Sequence, residues 1–120
     1  MANTYQTGAT DRRPWGVWRV LDTGPGFAVK RITVIPGGIL SLQRHQHRAE
    51  VWTIVAGTAE ITLDTEIFSA APGTAIRIAP RQIHRIANRG TDDVVFIEVQ
   101  TGPVLDETDI ERLEDSYGRL

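Results

Sequence analysis

The three histidines of the chain fall in two short segments, His45 with His47 and, far along the sequence, His84. Imidazoles two residues apart can serve one ion, because alternate side chains of a strand share a face. On that parity Ser41, Gln43, His45 and His47 form a polar row, and Leu40 and Leu42 take the other face. Glu50 follows His47 after two residues, and a bend at Arg48-Ala49 can return its carboxylate to the same place. With His84 from a distant strand, the set becomes three imidazoles and one carboxylate. Such a set suits Zn, Mn, Fe, Co or Ni and leaves positions open for water or substrate. An H-x-H pair is also common on solvated strands. Here the nearby Glu50 and the absence of any other histidine favour a shared site.

Elements that could position these groups are short and β-rich. Turn signals recur at Gly24-Pro25-Gly26, Pro36-Gly37-Gly38, Gly57, Asp64-Thr65, Pro72-Gly73, Asn88-Arg89-Gly90 and Gly102-Pro103. Between them lie Val17 to Leu21, Phe27 to Val34, Ile39 to His45, Val51 to Ala56, Ala59 to Leu63, Ala75 to Ile78, Ile83 to Asn88 and Val94 to Gln100. Runs this short, and this rich in Val, Ile and Thr, predict an all-β sandwich or barrel. A double-sheet jelly roll limits exposed edges and is the expected architecture. Thr108 with Glu111 three residues later makes a capping-box signature, and Ile110, Leu113 and Tyr117 recur at helical spacing, so a short C-terminal helix is expected. Residues 1–10 are polar and expected to be flexible, and one domain is expected over 11–120.

Composition sets the outer limits. One hundred and twenty residues make one ordinary domain, and 13 basic against 15 acidic residues give a net charge of −2. The basic residues are scattered, which argues against nucleic acid as a ligand. The absence of cysteine excludes thiol catalysis, disulfides and Cys-ligated metals. No segment has the order of a signal peptide or the apolar length of a membrane span, so a cytoplasmic protein without a membrane partner is expected.

Gly38, His45-x-His47, Glu50 and Gly57 resemble the first motif of the cupins, and Gly73, Pro80, His84 and Asn88 resemble the second. His47 and Glu50 are one residue closer than is common there, and Arg81 stands where a Gly is usual. Within the cupins, Arg13-Pro14-Trp15-Gly16, Leu40-Ser41-Leu42-Gln43, His47-Arg48-Ala49-Glu50, Gly57-Thr58-Ala59, Ile97-Glu98-Val99-Gln100 and Tyr117-Gly118-Arg119 are similar to type II mannose-6-phosphate isomerases. In that family the module is commonly the C-terminal part of a bifunctional enzyme that also carries a mannose-1-phosphate guanylyltransferase domain. These 120 residues hold neither the length nor the glycine-rich loop for one. The resemblance implies a cupin double-stranded β-helix with one divalent metal ion (Mn, Zn, Co, Fe, Ni or Mg) on His45, His47, Glu50 and His84. It also implies interconversion of mannose 6-phosphate and fructose 6-phosphate for GDP-mannose and polysaccharide synthesis. The family usually has a His between this Glu and Trp, where this chain has Val51. Reduced or altered catalysis is the corresponding expectation.

Aldose–ketose interconversion needs a Lewis acid for the developing oxyanion and a base that is not a metal ligand. Glu98, a carboxylate in an apolar strand, and Lys30 are the candidates. Lys30 and Arg31 must face opposite ways, so only one enters the pocket. A sugar phosphate needs cations at the rim, for which Lys30, Arg12, Arg48 and Arg119 are candidates, with Gln43 and Trp52 as further substrate contacts. Outward apolar faces suggest a homodimer. Two rival readings are another metal-dependent cupin activity, such as a dioxygenase or epimerase, and a non-catalytic sugar-binding module.

Overall fold

The computed structural model describes residues 2–120, and their regular structure is entirely strand. A six-stranded antiparallel sheet runs in the order β2 (Thr10–Arg13), β3 (Gly16–Gly24), β4 (Phe27–Val34), β11 (Val94–Thr101), β6 (Ala49–Ala56), β9 (Ala75–Ile78). Facing it is a five-stranded antiparallel sheet in the order β13 (Glu111–Glu114), β5 (Leu42–Arg44), β10 (His84–Ala87), β7 (Ala59–Leu63), β8 (Glu66–Ala70). The short strands β1 (Ala2–Asn3) and β12 (Val104–Leu105) pair in parallel at one end. This is the expected all-β jelly roll, and no helix among the described residues is long and apolar enough to cross a membrane.

The inward faces change character along the barrel. On β11, Val94 and Phe96 point inward at one end, followed by Glu98 and Gln100 at the other. The register places Ile32 beside Phe96 and Phe96 beside Ile54, then Lys30 beside Glu98 and Glu98 beside Trp52, and finally Gln100 beside Glu50. One end is thus filled by aliphatic and aromatic side chains, each contributing about 1.5–3 kcal/mol through burial. Period-two alternation carries the same strands into a polar chamber at the other end. Lys30 enters this chamber and Arg31 is exposed.

Two expected features differ. No C-terminal helix forms. The free edge of β5 pairs with Glu111–Glu114 as a strand, and the Arg44 guanidinium grips the Glu111 carboxylate with two bonds of 2.8 and 3.1 Å. A ready-made row of backbone partners outweighs a four-residue capping signal. Thr108 instead closes a turn, its N–H and hydroxyl both donating to Asp106 Oδ1. The N-terminal stretch expected to be loose is docked from Ala2 onward: Asn3 pairs with Leu105, and Tyr5 is buried with Val20, Ala28 and Leu105. Met1 lies outside the described residues.

Candidate metal centre

Strand parity holds only while the chain remains a strand, and β5 ends at Arg44. The chain then bends at Gln46 and His47, whose N–H groups both donate to the Asp109 carboxylate (2.9 and 3.0 Å). His47 is consequently exposed, and Arg48 is the residue that turns inward. The fourfold ligand set expected from spacing therefore loses one imidazole. Gly102 holds the bend closely: a Cβ there would stand 2.3 Å from the His47 carbonyl oxygen.

His45, Glu50 and His84 do converge, with one ligand atom from each lying within 4.8 Å of the others. Across the gap between sheets, His45 Nε2 is 3.3 Å from Glu50 Oε2, and His84 Nε2 is 3.8 Å from Glu50 Oε1. Each imidazole is pinned through its other nitrogen. His45 Nδ1 is 2.6 Å from the Asp109 carbonyl, and His84 Nδ1 is 2.8 Å from the Gln82 carbonyl. A carbonyl can only accept, so both Nδ1 atoms carry hydrogen, and Nε2 is the atom each ring turns toward Glu50 and would offer to an ion. Burial pushes His45 down to about 4, leaving it neutral near pH 7. The donor set matches the two-histidine, one-carboxylate arrangement that leaves positions for water or substrate, and so it fits a divalent transition metal.

Around this triad lies a ring of buried charge. Burial pushes the Glu50 carboxyl up, but Arg48, His45 and His84 together hold it well below the usual range. The Arg48 Nε donates to Glu50 Oε2 at 2.8 Å, and its Nη2 is 3.4 Å from His45 Nε2. Trp52 Nε1 donates to both Glu50 Oε1 and Glu98 Oε1 at 3.1 Å, so the indole ties the two carboxyls together. Gln100 Nε2 donates to Glu98 Oε2 at 2.8 Å. Burial, reinforced by the Glu50 charge, pushes Glu98 up to about 8. Lys30 lies over the rings of Tyr5 and Trp18, donates to the Tyr5 hydroxyl at 3.1 Å, and pairs with Glu107 at 3.2 Å. The Tyr5 hydroxyl donates to Glu107 and accepts from Arg48.

Of the expected substrate contacts, Gln43, Arg48, Trp52 and Arg119 line the same chamber as Lys30 and Glu98. Arg12 does not. It is exposed, and its neighbour Arg13 faces the chamber, a one-residue parity difference. Leu40, expected on the outward face, also lines the chamber because the chain at Leu40 and Ser41 precedes β5. Spacing gave no hint of Tyr5, Glu107 or Asp109, which come from the docked N-terminus and the segment before β13. The positions of Arg13 and Arg112 were equally hidden.

Residues 2–115 match the family model for the mannose-6-phosphate isomerase C-terminal domain. The chain belongs to that family. It is 50% identical over 107 residues to the alginate biosynthesis protein AlgA of Pseudomonas aeruginosa, covering 89% of this chain and 22% of AlgA. It is 44% identical over 108 residues to the mannose-1-phosphate guanylyltransferase ManC of Salmonella typhimurium, covering 90% and 22%. The chain thus spans between a fifth and a quarter of the length of these curated relatives. A Klebsiella pneumoniae protein with a double-stranded β-helix domain superposes with a TM-score of 0.74 at 19% identity, covering 88% of this chain and 84% of that one. That likeness establishes the cupin fold. Against the isomerase family pattern, Val51 is half-buried and alternates with the inward Glu50 and Trp52, so the family's usual His at this place would project away from the triad. Arg81, where a Gly is usual, has φ of +66°, a left-handed conformation that favours glycine, and its N–H donates to the His45 carbonyl at 2.7 Å.

Proposed function

We propose that the chain is a metal-dependent sugar-phosphate isomerase that interconverts mannose 6-phosphate and fructose 6-phosphate, in the service of GDP-mannose and polysaccharide synthesis. The observation that carries this is the triad of His45, Glu50 and His84, with both Nδ1 atoms pinned, opening into the chamber that holds Glu98 and Lys30. The family membership and the polysaccharide-related names of the relatives support the substrate. An ion on Nε2 of both histidines and on Glu50 would supply Lewis acidity to the sugar oxygens.

The remaining chemistry belongs to the protein. Glu98 carries a proton at a carboxyl oxygen, and a value of about 8 lets it accept or release that proton near neutrality. Trp52 and Gln100 fix the plane of that carboxyl. Lys30, engaged by Glu107 and Tyr5, stands directly opposite Glu98 in the sheet. Gln43 and Arg48 face the substrate space, and the Trp52 indole walls it. A homodimer remains the proposed assembly, since Val51, Val95, Ile97 and Val99 stay partly exposed on the outward face.

One observation favours a second reading, sugar-phosphate binding without turnover: Arg48 already engages Glu50 Oε2 and lies against His45 Nε2, where an ion must compete. A single assay separates the two. Purified protein loaded with Mn, Co, Zn or Mg is incubated with mannose 6-phosphate and followed for fructose 6-phosphate. Metal-dependent product, abolished by chelation, supports the isomerase. Binding of mannose 6-phosphate without product by every loaded form overturns it.

A further inference from the structure

The row that runs across the five-stranded sheet places Arg112 opposite Gln43 and Gln43 opposite His84. Residues directly opposed in a ladder share a face. Arg112 therefore lies on the face of the ligand His84, two strand spacings away, about 10 Å between backbones. All three residues line the chamber. Gln43 stands between the ligand histidine and the arginine, with no side-chain partner among the described residues.

Arg112 differs from the other arginines among the described residues in having a buried Nε without a partner, and it makes no side-chain hydrogen bond or ion pair. Arg13 from β2 and Arg119 from the C-terminal segment line the same chamber. Those two are neutralised locally, Arg13 by Asp11 at 3.1 Å and Arg119 by Asp115 at 2.7 Å, whereas Arg112 has no carboxylate of its own. Burial together with the charges of Arg119 and Arg13 lowers the affinity of Arg112 for its proton. A second buried donor in the chamber, Trp18 Nε1, also lacks an acceptor. A buried donor left unmade costs about 1–3 kcal/mol, more when charged. Two such donors in one cavity call for an occupant rich in acceptor oxygens and negative charge.

We propose that Arg112, flanked by Arg13 and Arg119, seats a phosphomonoester, and that a sugar phosphate lies along the Arg112, Gln43, His84 row with its phosphate at the arginine end. This deepens the isomerase reading and rests on it for the sugar, but the anion seat is testable without turnover. Arg112 offers a guanidinium fork suited to two phosphate oxygens, and substituting it breaks no internal hydrogen bond.

The test uses metal-loaded protein and three probes, inorganic phosphate, mannose 6-phosphate and phosphate-free mannose, with binding followed by calorimetry. Arg112→Gln is expected to weaken both phosphate-bearing probes at least tenfold while leaving metal content and mannose binding unchanged. Arg112→Lys, which keeps the charge and loses the fork, should recover part of the loss, and circular dichroism checks that both variants fold. Equal affinity of wild type and Arg112→Gln for inorganic phosphate overturns the seat. A kcat loss with unchanged KM for mannose 6-phosphate overturns it as well. Arg112-dependent phosphate binding in a protein that never forms fructose 6-phosphate upholds the seat and removes the isomerase instead.

Discussion

Glutamate 98 gives the fold a pH dependence of a particular shape when metal is absent. Its ordinary value of 4.5 rises to about 8 in the folded chain, so the folded state holds more protons than the unfolded one between those limits. Stability must then fall as pH rises through that window. At about 1.4 kcal/mol per unit the ceiling is about 5 kcal/mol over the full range, shared with the charges that surround the group. His45 acts in the opposite sense. Lowered from 6.5 to about 4, it makes stability rise with pH between those values. The two slopes oppose each other from about pH 4.5 to 6.5. Above 6.5 His45 is neutral in both states and Glu98 alone remains, which leaves a fall of at most about 2 kcal/mol by pH 8.

The perturbation is Glu98→Gln, which keeps the shape and removes the titration. Urea unfolding in the presence of a chelator, at fixed ionic strength, is measured at pH 5.5, 6.5 and 8. Wild type is expected to be nearly level between 5.5 and 6.5 and to lose about 1–2 kcal/mol by pH 8. The variant is expected to start somewhat less stable, because an amide cannot accept from both Trp52 and Gln100 while facing Glu50, and to show no loss above 6.5. A wild type equally stable at 6.5 and 8, or a variant with the same decline, would refute the shared burial of Glu50 and Glu98 as its cause.

His84→Ala is expected to abolish stoichiometric metal binding with the fold retained, whereas His47→Ala should keep wild-type metal content by elemental analysis; loss of the ion in His47→Ala would restore the fourfold set suggested by spacing. Asp109→Ala frees the N–H groups of Gln46 and His47, and metal affinity by competition with a chromophoric chelator should fall about 10–100-fold, as for other groups that orient ligands. Unchanged affinity would show that the bend holds itself. Arg81→Gly relieves a left-handed arginine, worth roughly 1–2 kcal/mol, against an unfolded-state entropy cost of about 0.4–1 kcal/mol. Thermal melting should show equal or slightly greater stability, and a clear loss would place the Arg81 side chain in a supporting contact.

Local chemistry made part of this legible and tertiary pairing decided the rest. Phe27 to Val34, Ala59 to Leu63 and Ala75 to Ile78 coincide with observed strands, because each is an alternating or β-branched run bounded by a glycine turn, a proline turn or the Asp64-Thr65 turn. The segment Ile39 to His45 shrinks to Leu42–Arg44, and its early end is what turns His47 out and Arg48 in. Nothing local marks that end, since the bend is held by Asp109, more than sixty residues away in sequence. Glu111–Glu114 carries a helical signature and becomes a strand because β5 offers an open edge. The triad survives these shifts because His45, Glu50 and His84 each lie in or beside a strand whose register is fixed by neighbours on the far side.

Those neighbours also explain why the site exists only in the closed barrel. The six-stranded sheet contributes carboxyl groups and ammonium, Glu50, Glu98 and Lys30, on consecutive inward rows. The five-stranded sheet and its flanks contribute the imidazoles, Gln43 and Arg112. The Arg48 guanidinium faces Glu50 and holds its carboxyl well below the usual range against the push of burial. Glu98, one row further toward the apolar end, is pushed up by burial and by the Glu50 charge, against the pull of Lys30 and Arg48, and so keeps its proton near neutrality. Two carboxyls bridged by a single indole are thereby driven apart in acidity, one suited to hold a cation and the other to exchange a proton. That division follows from the order of residues along β6 and β11, where two-residue alternation sets Glu98 against Trp52 in one row and Glu50 against Gln100 in the next.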